Sequence, residues 1–249
     1  MADSLAPQAL ARSTCIACGS TDRQITREHF WPQWLIAQAR PHSVRWRDKR
    51  LKPKSATVAL CADCNAAFGR ELESPVAKIF SDLQSGLGVS DVEAELLVRW
   101  LWKFEGLSWL QSQARWTYSP AFSLRERVLN RLGPIRPHLC LAVSLIDHLD
   151  PRYGDAPIGI DSPHHKSAIF VSGVFCQVAL MSLLGEAAFL VPDQFSVYRF
   201  GPLSVGQEQD HKIFYPKTGF RSDTEAVGIT TICSLSLAGF HDRIAQNNS

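Results

Sequence analysis

Four cysteines stand in two C-x-x-C pairs, Cys15-Ile16-Ala17-Cys18 and Cys61-Ala62-Asp63-Cys64. Glu28-His29 lies between the pairs, and Asn65 follows the second directly. Each C-x-x-C turn swings two sulfurs toward one point, so Cys15, Cys18, Cys61 and Cys64 together are the donor set of a tetrahedral structural zinc ion. An acid, an imidazole and an amide beside such an ion suggest chemistry as well as structure. Forty-two residues, 19 to 60, separate the pairs, against roughly 12 to 20 in ordinary fingers and ribbons. Something folded must fill the gap. A treble-clef arrangement fits: one knuckle on a turn, a β-hairpin, then the second knuckle at the start of a helix.

The surrounding elements follow from local pattern. Gly19 can take the positive φ that the turn after Cys18 requires. Gln24 to Trp31 reads as extended, Pro32 stops it, and Gln33 to Gln38 reads as a short helix carrying Trp34 and Leu35 inward. Thr57 to Leu60 reads as a strand leading into the second knuckle. From Asn65 the spacing of Ala66, Ala67, Phe68, Leu72 and Val76 predicts a helix. The composition shifts after about Ser81, with Gly86, Gly88 and Ser90 as a linker, which divides the chain into residues 1–82 and 90–249. Ser90 with Glu93 forms a capping box for a helix over 91–113, its apolar stripe holding Leu97, Trp100, Leu101 and Phe104. A helix over 123–132 follows. Strand-like runs then cover 139–146, 168–178, 187–191, 196–200 and 227–237. The fold class expected is α+β: a knuckle-stapled module, then helices and a mainly antiparallel sheet.

Charge is unevenly spread. Residues 1 to 80 carry twelve Lys/Arg against seven Asp/Glu, whereas the remainder carries fourteen against seventeen. Most of the excess is one stretch, Arg40, Arg45, Arg47, Lys49, Arg50, Lys52 and Lys54, with Trp46 in its middle. Such a run suits phosphate contacts and stacking on a base; the alternative is a solvated loop. No run of about 18 apolar residues appears, and 1–11 lack the order of a signal peptide. The expectation is a soluble, cytoplasmic protein with no membrane partner, in which Cys140, Cys176 and Cys233 are reduced, buried thiols. His164-His165-Lys166, Asp210-His211-Lys212 and Asp147-His148 read as solvated rather than as ligands.

Glu28-His29-x-x-Pro32-x-Trp34-Leu35 followed by Cys61-x-x-Cys64-Asn65-x-x-Phe68-Gly69-x-x-Leu72-Glu73 resembles the HNH endonuclease family with its ββα-metal core. The resemblance covers about residues 12 to 80. It implies a metal-dependent endonuclease hydrolysing phosphodiester bonds of DNA, with RNA not excluded, in a setting such as bacterial or phage defence. It places His29 as general base and Glu28 and Asn65 as ligands of one catalytic cation, for which their oxygen donors favour Mg²⁺ or Mn²⁺. Two departures stand out. The family's middle asparagine is missing, since Lys54 to Leu60 offers only Ser55 and Thr57, so a backbone carbonyl is expected to orient His29. Glu71 and Glu73 also lie near Asn65, with Glu73 as a secondary candidate ligand.

A second hypothesis keeps the zinc and drops the catalysis: a zinc-stapled nucleic-acid-binding protein in which Glu28-His29 is a surface ion pair and Asn65 a helix N-cap. Convergence of Glu28, His29 and Asn65 on a cation would separate the two. Cutting both strands with one active site calls for two copies or two encounters, so a homodimer, or a protein partner of residues 90–249, is also expected.

Overall fold

The computed structural model of the chain describes residues 14–46, 49–112, 123–150, 158–160, 170–201 and 213–247. The first knuckle turns tightly: the Cys15 N–H donates to the Ser20 carbonyl and the Gly19 N–H to the Cys15 carbonyl, both at 2.8 Å. Gly19 takes φ +74° there, as a residue without Cβ can. Strand β1 (Ile25–His29) pairs antiparallel with β4 (Thr57–Cys61), setting Glu28 opposite Val58 and His29 opposite Thr57. The Ile16 N–H donates to the Ala59 carbonyl (3.0 Å) and fastens the knuckle to this hairpin.

Between the two strands, α1 (Gln33–Ala39) starts after Pro32 and buries Leu35. The basic stretch then folds as its own antiparallel ribbon, β2 (Val44–Trp46) with β3 (Lys49–Leu51). From Ala62 to Gln84 the chain is helical, as α2 (Ala62–Phe68), a π turn over Gly69–Glu73 and α3 (Ser74–Gln84). In the π turn the Ser74 N–H reaches back to the Gly69 carbonyl. One extra residue widens the turn, and Leu72 and Glu73 both face inward.

Helix α4 (Asp91–Ser112) begins at the expected capping box: the Ser90 N–H donates to the Glu93 carboxylate (2.8 Å) and the Glu93 N–H to Ser90 Oγ (3.4 Å). It runs through the molecule rather than over it, burying Leu97, Val98, Trp100, Leu101, Trp102, Phe104 and Leu107 together with Glu95, Arg99, Lys103 and Glu105. A second capping box, Ser123 with Glu126, starts α5 (Leu124–Leu129), which stops at Leu129 rather than reaching 132 because Asn130 is extended.

The sheet is mixed. Strand β5 (Leu139–His148) pairs antiparallel with β8 (Val178–Leu184) on one side, and β8 with β7 (Val171–Phe175) and β7 with β6 (Ile158–Ile160) continue antiparallel. The other edge of β5 is shared, antiparallel to β9 (Ser196–Arg199) along 140–143 and parallel to β10 (Thr218–Ser222) along 145–148. Alternate residues feed two cores. Leu139, Leu141 and Val143 face the α4 side, while Cys140, Ala142 and Ile146 face α6 (Asp223–Asn247). Burial on both faces explains why these strands read as continuous apolar runs.

Three sequence expectations change. Residues 227–237 are helical, part of α6, and Ala226, Thr230, Cys233 and Leu237 are its buried face at helical spacing. Residues 187–191 fall on a 3₁₀ turn over Gly185–Leu190. The run 168–178 ends its strand at Phe175 and turns at once into β8, through Cys176 in the left-handed region at φ 53°. No glycine or asparagine marks that hairpin, so turn chemistry did not reveal it. Among the described residues no helix is long and apolar enough to cross a membrane.

An aromatic cluster joins the knuckle segment to the sheet. Phe30, Trp31, Trp34 and Phe80 pack on Trp100 and Phe104 of α4, which in turn pack on Phe175 of β7 at centroid distances of 4.9 and 5.9 Å. Each such pair contributes about 0.5–1.5 kcal/mol beyond the area it buries. One apolar core therefore runs from Cys15 to Phe200.

Candidate metal and catalytic sites

The sulfurs of Cys15, Cys18, Cys61 and Cys64 lie within 4.8 Å of one another, with Cys18 Sγ 3.8 Å from Cys61 Sγ. Four sulfurs each about 2.3 Å from a tetrahedral zinc would stand about 3.8 Å apart. The group can hold a metal ion. The Cys64 thiol bonds Cys15, which draws Cys15 down to about 4 and pushes Cys64 up, while burial pushes up Cys18. Two arginines attend the sulfurs. Arg125 of α5 donates to Cys64 Sγ (3.3 Å) while its N–H donates to the Ala17 carbonyl (2.9 Å). Arg23 reaches Cys61 and pairs with Asp63 at 2.8 Å. Cationic partners of this kind offset the negative charge of a four-thiolate site.

Helix α2 starts at the second knuckle, with Cys61 as N-cap and Asn65 as the fourth helical residue. Asn65 is therefore not a cap. Its amide donates to Thr26 Oγ1 (3.2 Å) and bonds the Glu28 carboxylate. Thr26 and Glu28 share one face of β1 by strand alternation, and that face meets α2. The structure thus brings Glu28 and Asn65 together. Burial raises the Glu28 carboxyl above its ordinary value, Lys103 pulls it down, Glu73 pushes it up, and His29 and Asn65 pull it down.

His29 is the last residue of β1, and alternation sends its side chain to the face opposite Glu28. Its Nδ1 is buried and has no hydrogen-bond partner among the described residues. The backbone carbonyl expected to orient the ring is not in that place. The neighbouring Trp31 Nε1 is buried and unpaired as well.

Glu73 is not free to act as a ligand. One carboxylate oxygen pairs with Lys103 Nζ, and the other accepts from Trp34 Nε1 (3.2 Å) and Trp100 Nε1 (3.1 Å). Glu71 pairs with Arg70 at 2.6 Å. Lys103 and Arg99 of α4 are both buried rather than open to solvent. Arg99 instead donates to the carbonyls of Val128 (2.8 Å) and Leu129 (2.9 Å). Sequence reasoning missed Lys103 as the partner of Glu73 and Arg125 as the donor to Cys64. The signal for Lys103 is a cation directly flanked by two aromatic residues, Trp102 and Phe104.

On the basic ribbon, the register places Arg45 opposite Arg50 and Trp46 opposite Lys49. Lys49, Arg50, Lys52 and Lys54 are exposed. Arg47 lies outside the described residues, and of Arg45 only the backbone is described. Like charges directly opposed on a two-stranded ribbon cost stability until an anion neutralises them. His148 and Asp147 stand 4.0 Å apart and largely exposed, and the two other histidine loops lie outside the described residues. No family model, curated protein or solved structure matches the chain.

Proposed function

We propose that the chain is a metal-dependent endonuclease of HNH type, a zinc-stapled treble-clef ββα module that hydrolyses phosphodiester bonds of DNA. The observation that carries this reading is the meeting of Glu28 and Asn65 on the helix-facing side of β1, directly beside the four-cysteine group. The Glu28 carboxylate and the Asn65 side-chain carbonyl are hard oxygen donors and fit Mg²⁺ or Mn²⁺. The Asn65 amide hydrogens bond Thr26 and Glu28, which leaves Oδ1 for a cation. An ion held there would supply positive charge to the phosphate and its departing oxygen. His29 leaves the strand on the other side, so only Glu28 and Asn65 meet the convergence that separates the two readings, and this reading requires the phosphate to reach both faces at the strand's end. There His29 Nε2 takes the proton of an attacking water. The opposed cations of the β2–β3 ribbon would hold the DNA backbone.

The unpaired Nδ1 of His29 favours the second reading, a zinc-stapled nucleic-acid binder, since an imidazole without an orienting partner is poorly held for proton transfer. Plasmid DNA incubated with wild type and His29→Ala, in Mg²⁺, Mn²⁺ or EDTA, separates the two. Metal-dependent nicking lost in the variant is the expected result. Salt-sensitive binding with no cleavage by either protein would leave the binder.

A further inference from the structure

Helix α6 has a second face, turned away from the sheet. From Ala226 to Phe240 it carries no charged side chain. Ile232 is 66 % exposed and Leu235 63 %, where an outward helix face ordinarily carries charged and polar groups. Both belong to a seam. Gly228, Ile232, Leu235 and Gly239 follow one another at steps of four, three and four, the spacing that keeps one edge of a helix against a partner helix. A Cβ on Gly228 would meet nothing within 4 Å, so the backbone there lies open to close approach. Beside Gly239, Phe240 packs edge-on against Phe189 of the 3₁₀ turn (5.7 Å), and Phe189 remains 72 % exposed.

We infer that this face of α6 pairs with α6 of a second copy of the chain, antiparallel and about a two-fold axis. The order of the seam selects that partner. It runs small, large, large, small, and reads alike from either end. An antiparallel copy with Ile232 against the partner's Leu235 therefore also sets Leu235 against the partner's Ile232, and each Gly228 against a Gly239. The glycines let the backbones close at both ends while the two central layers fill with apolar side chains. A parallel copy would match like residues too, but it aligns the two helix dipoles, whereas the antiparallel copy opposes them. At 25 residues α6 is about 37 Å long. With Phe189 beside it, its outer face is comparable to the roughly 800 Å² per copy that a stable dimer buries. A lipid surface fits less well, because no Lys or Arg lies from Ser222 to Asp242 to meet anionic headgroups. The pairing stands independently of the reading of Glu28 and Asn65, and it supplies the two copies that cutting both strands of a duplex calls for.

Sedimentation equilibrium of the full, zinc-loaded chain tests this on wild type, Ile232→Lys, Leu235→Glu and an equimolar mixture of the two variants. Both positions are exposed in the single copy, so neither change disturbs its core. Wild type should be dimeric at micromolar concentration. Each variant alone should dimerise about a hundredfold more weakly or worse, because its dimer buries two unpaired charges of one sign. The mixture should recover to within about tenfold of wild type, since one layer then sets an ammonium against a carboxylate and the other keeps Leu235 on Ile232. A parallel pair gains no such layer. A monomeric wild type overturns the inference, and so does a dimer that both variants leave intact. Folded variants that stay monomeric when mixed overturn the antiparallel pairing. A monomeric wild type that floats with phosphatidylglycerol vesicles, and loses this in both variants, overturns it in favour of a lipid surface. If one variant does not fold, the other decides alone by whether it weakens the dimer.

Discussion

At its N-terminal end α4 sets half-buried Asp91 and buried Glu95 against exposed Arg131 and buried Arg136, and two turns further on Lys103 meets Glu73, both acting on Glu28. The first cluster is closed. Arg131 grips Glu95 through two nitrogens (2.5 and 2.9 Å), the Leu132 N–H adds a third bond (3.1 Å), and Arg136 joins Glu95, Asp91 and the Gly201 carbonyl. Tyr198 of β9 donates to Asp91. Two carboxylates face two guanidinium groups, and the bonds tie α4 to the segment before β5 and to the sheet edge. In the second, Glu28 is influenced by Lys103, Glu73 and His29 and bonds the Asn65 amide. Removing one partner from such a network strands the other charges, which makes the first cluster costly to break.

The largest test of this contrast is metal removal. Chelation of the four-cysteine group should unfold the knuckle end while the sheet end persists, because two-stranded ribbons cannot bury enough surface alone and structural zinc supplies on the order of 10 kcal/mol. Amide exchange should show β1 and β4 losing protection and β5, β7 and β8 keeping it. Equal loss in both would mean that the shared aromatic core makes them one cooperative unit.

Next in size is Arg136→Met, which strands Asp91 and part of Glu95. Urea unfolding should register a loss of about 3–5 kcal/mol, with Mn²⁺ binding by the folded variant unchanged. A shift in Mn²⁺ affinity would show that the two clusters are coupled along α4.

The smallest effect is on pH. Burial pushes the Glu95 carboxyl up, but bonds from Arg131 and the Leu132 N–H and the charges of Arg131 and Arg136 outweigh it and hold it below its ordinary value of 4.5. A depressed carboxylate contributes stability above that ordinary value and loses it as pH falls through the folded value. Wild type should therefore lose stability below pH 4.5 more steeply than Glu95→Gln. Parallel acid limbs in the two proteins would remove Glu95 from the account.

Much of the site was legible because its parts are local. Cysteine spacing marks the knuckles, Pro32 precedes α1, and Ser90 with Glu93 opens α4, each a pattern within a few residues. A ligating role for Asn65 is proposed from resemblance, whereas its place inside the helix rather than at its cap came from where Cys61 starts the turn. Residues 227–237 misled because Val227, Ile229 and Ile232 have strand propensity, whereas the spacing of Ala226, Thr230, Cys233 and Leu237 is helical.

The sequence by itself determined the donor chemistry: four thiols in two turns, a Glu-His pair on a strand, an amide after the last cysteine and a basic ribbon. Only the tertiary structure decided which charges are buried together. The partners of Lys103 and Arg136 stand 30 and 41–45 residues away, and no local pattern ranks such pairs. They are selected by packing, where every buried charge must find an opposite one within reach.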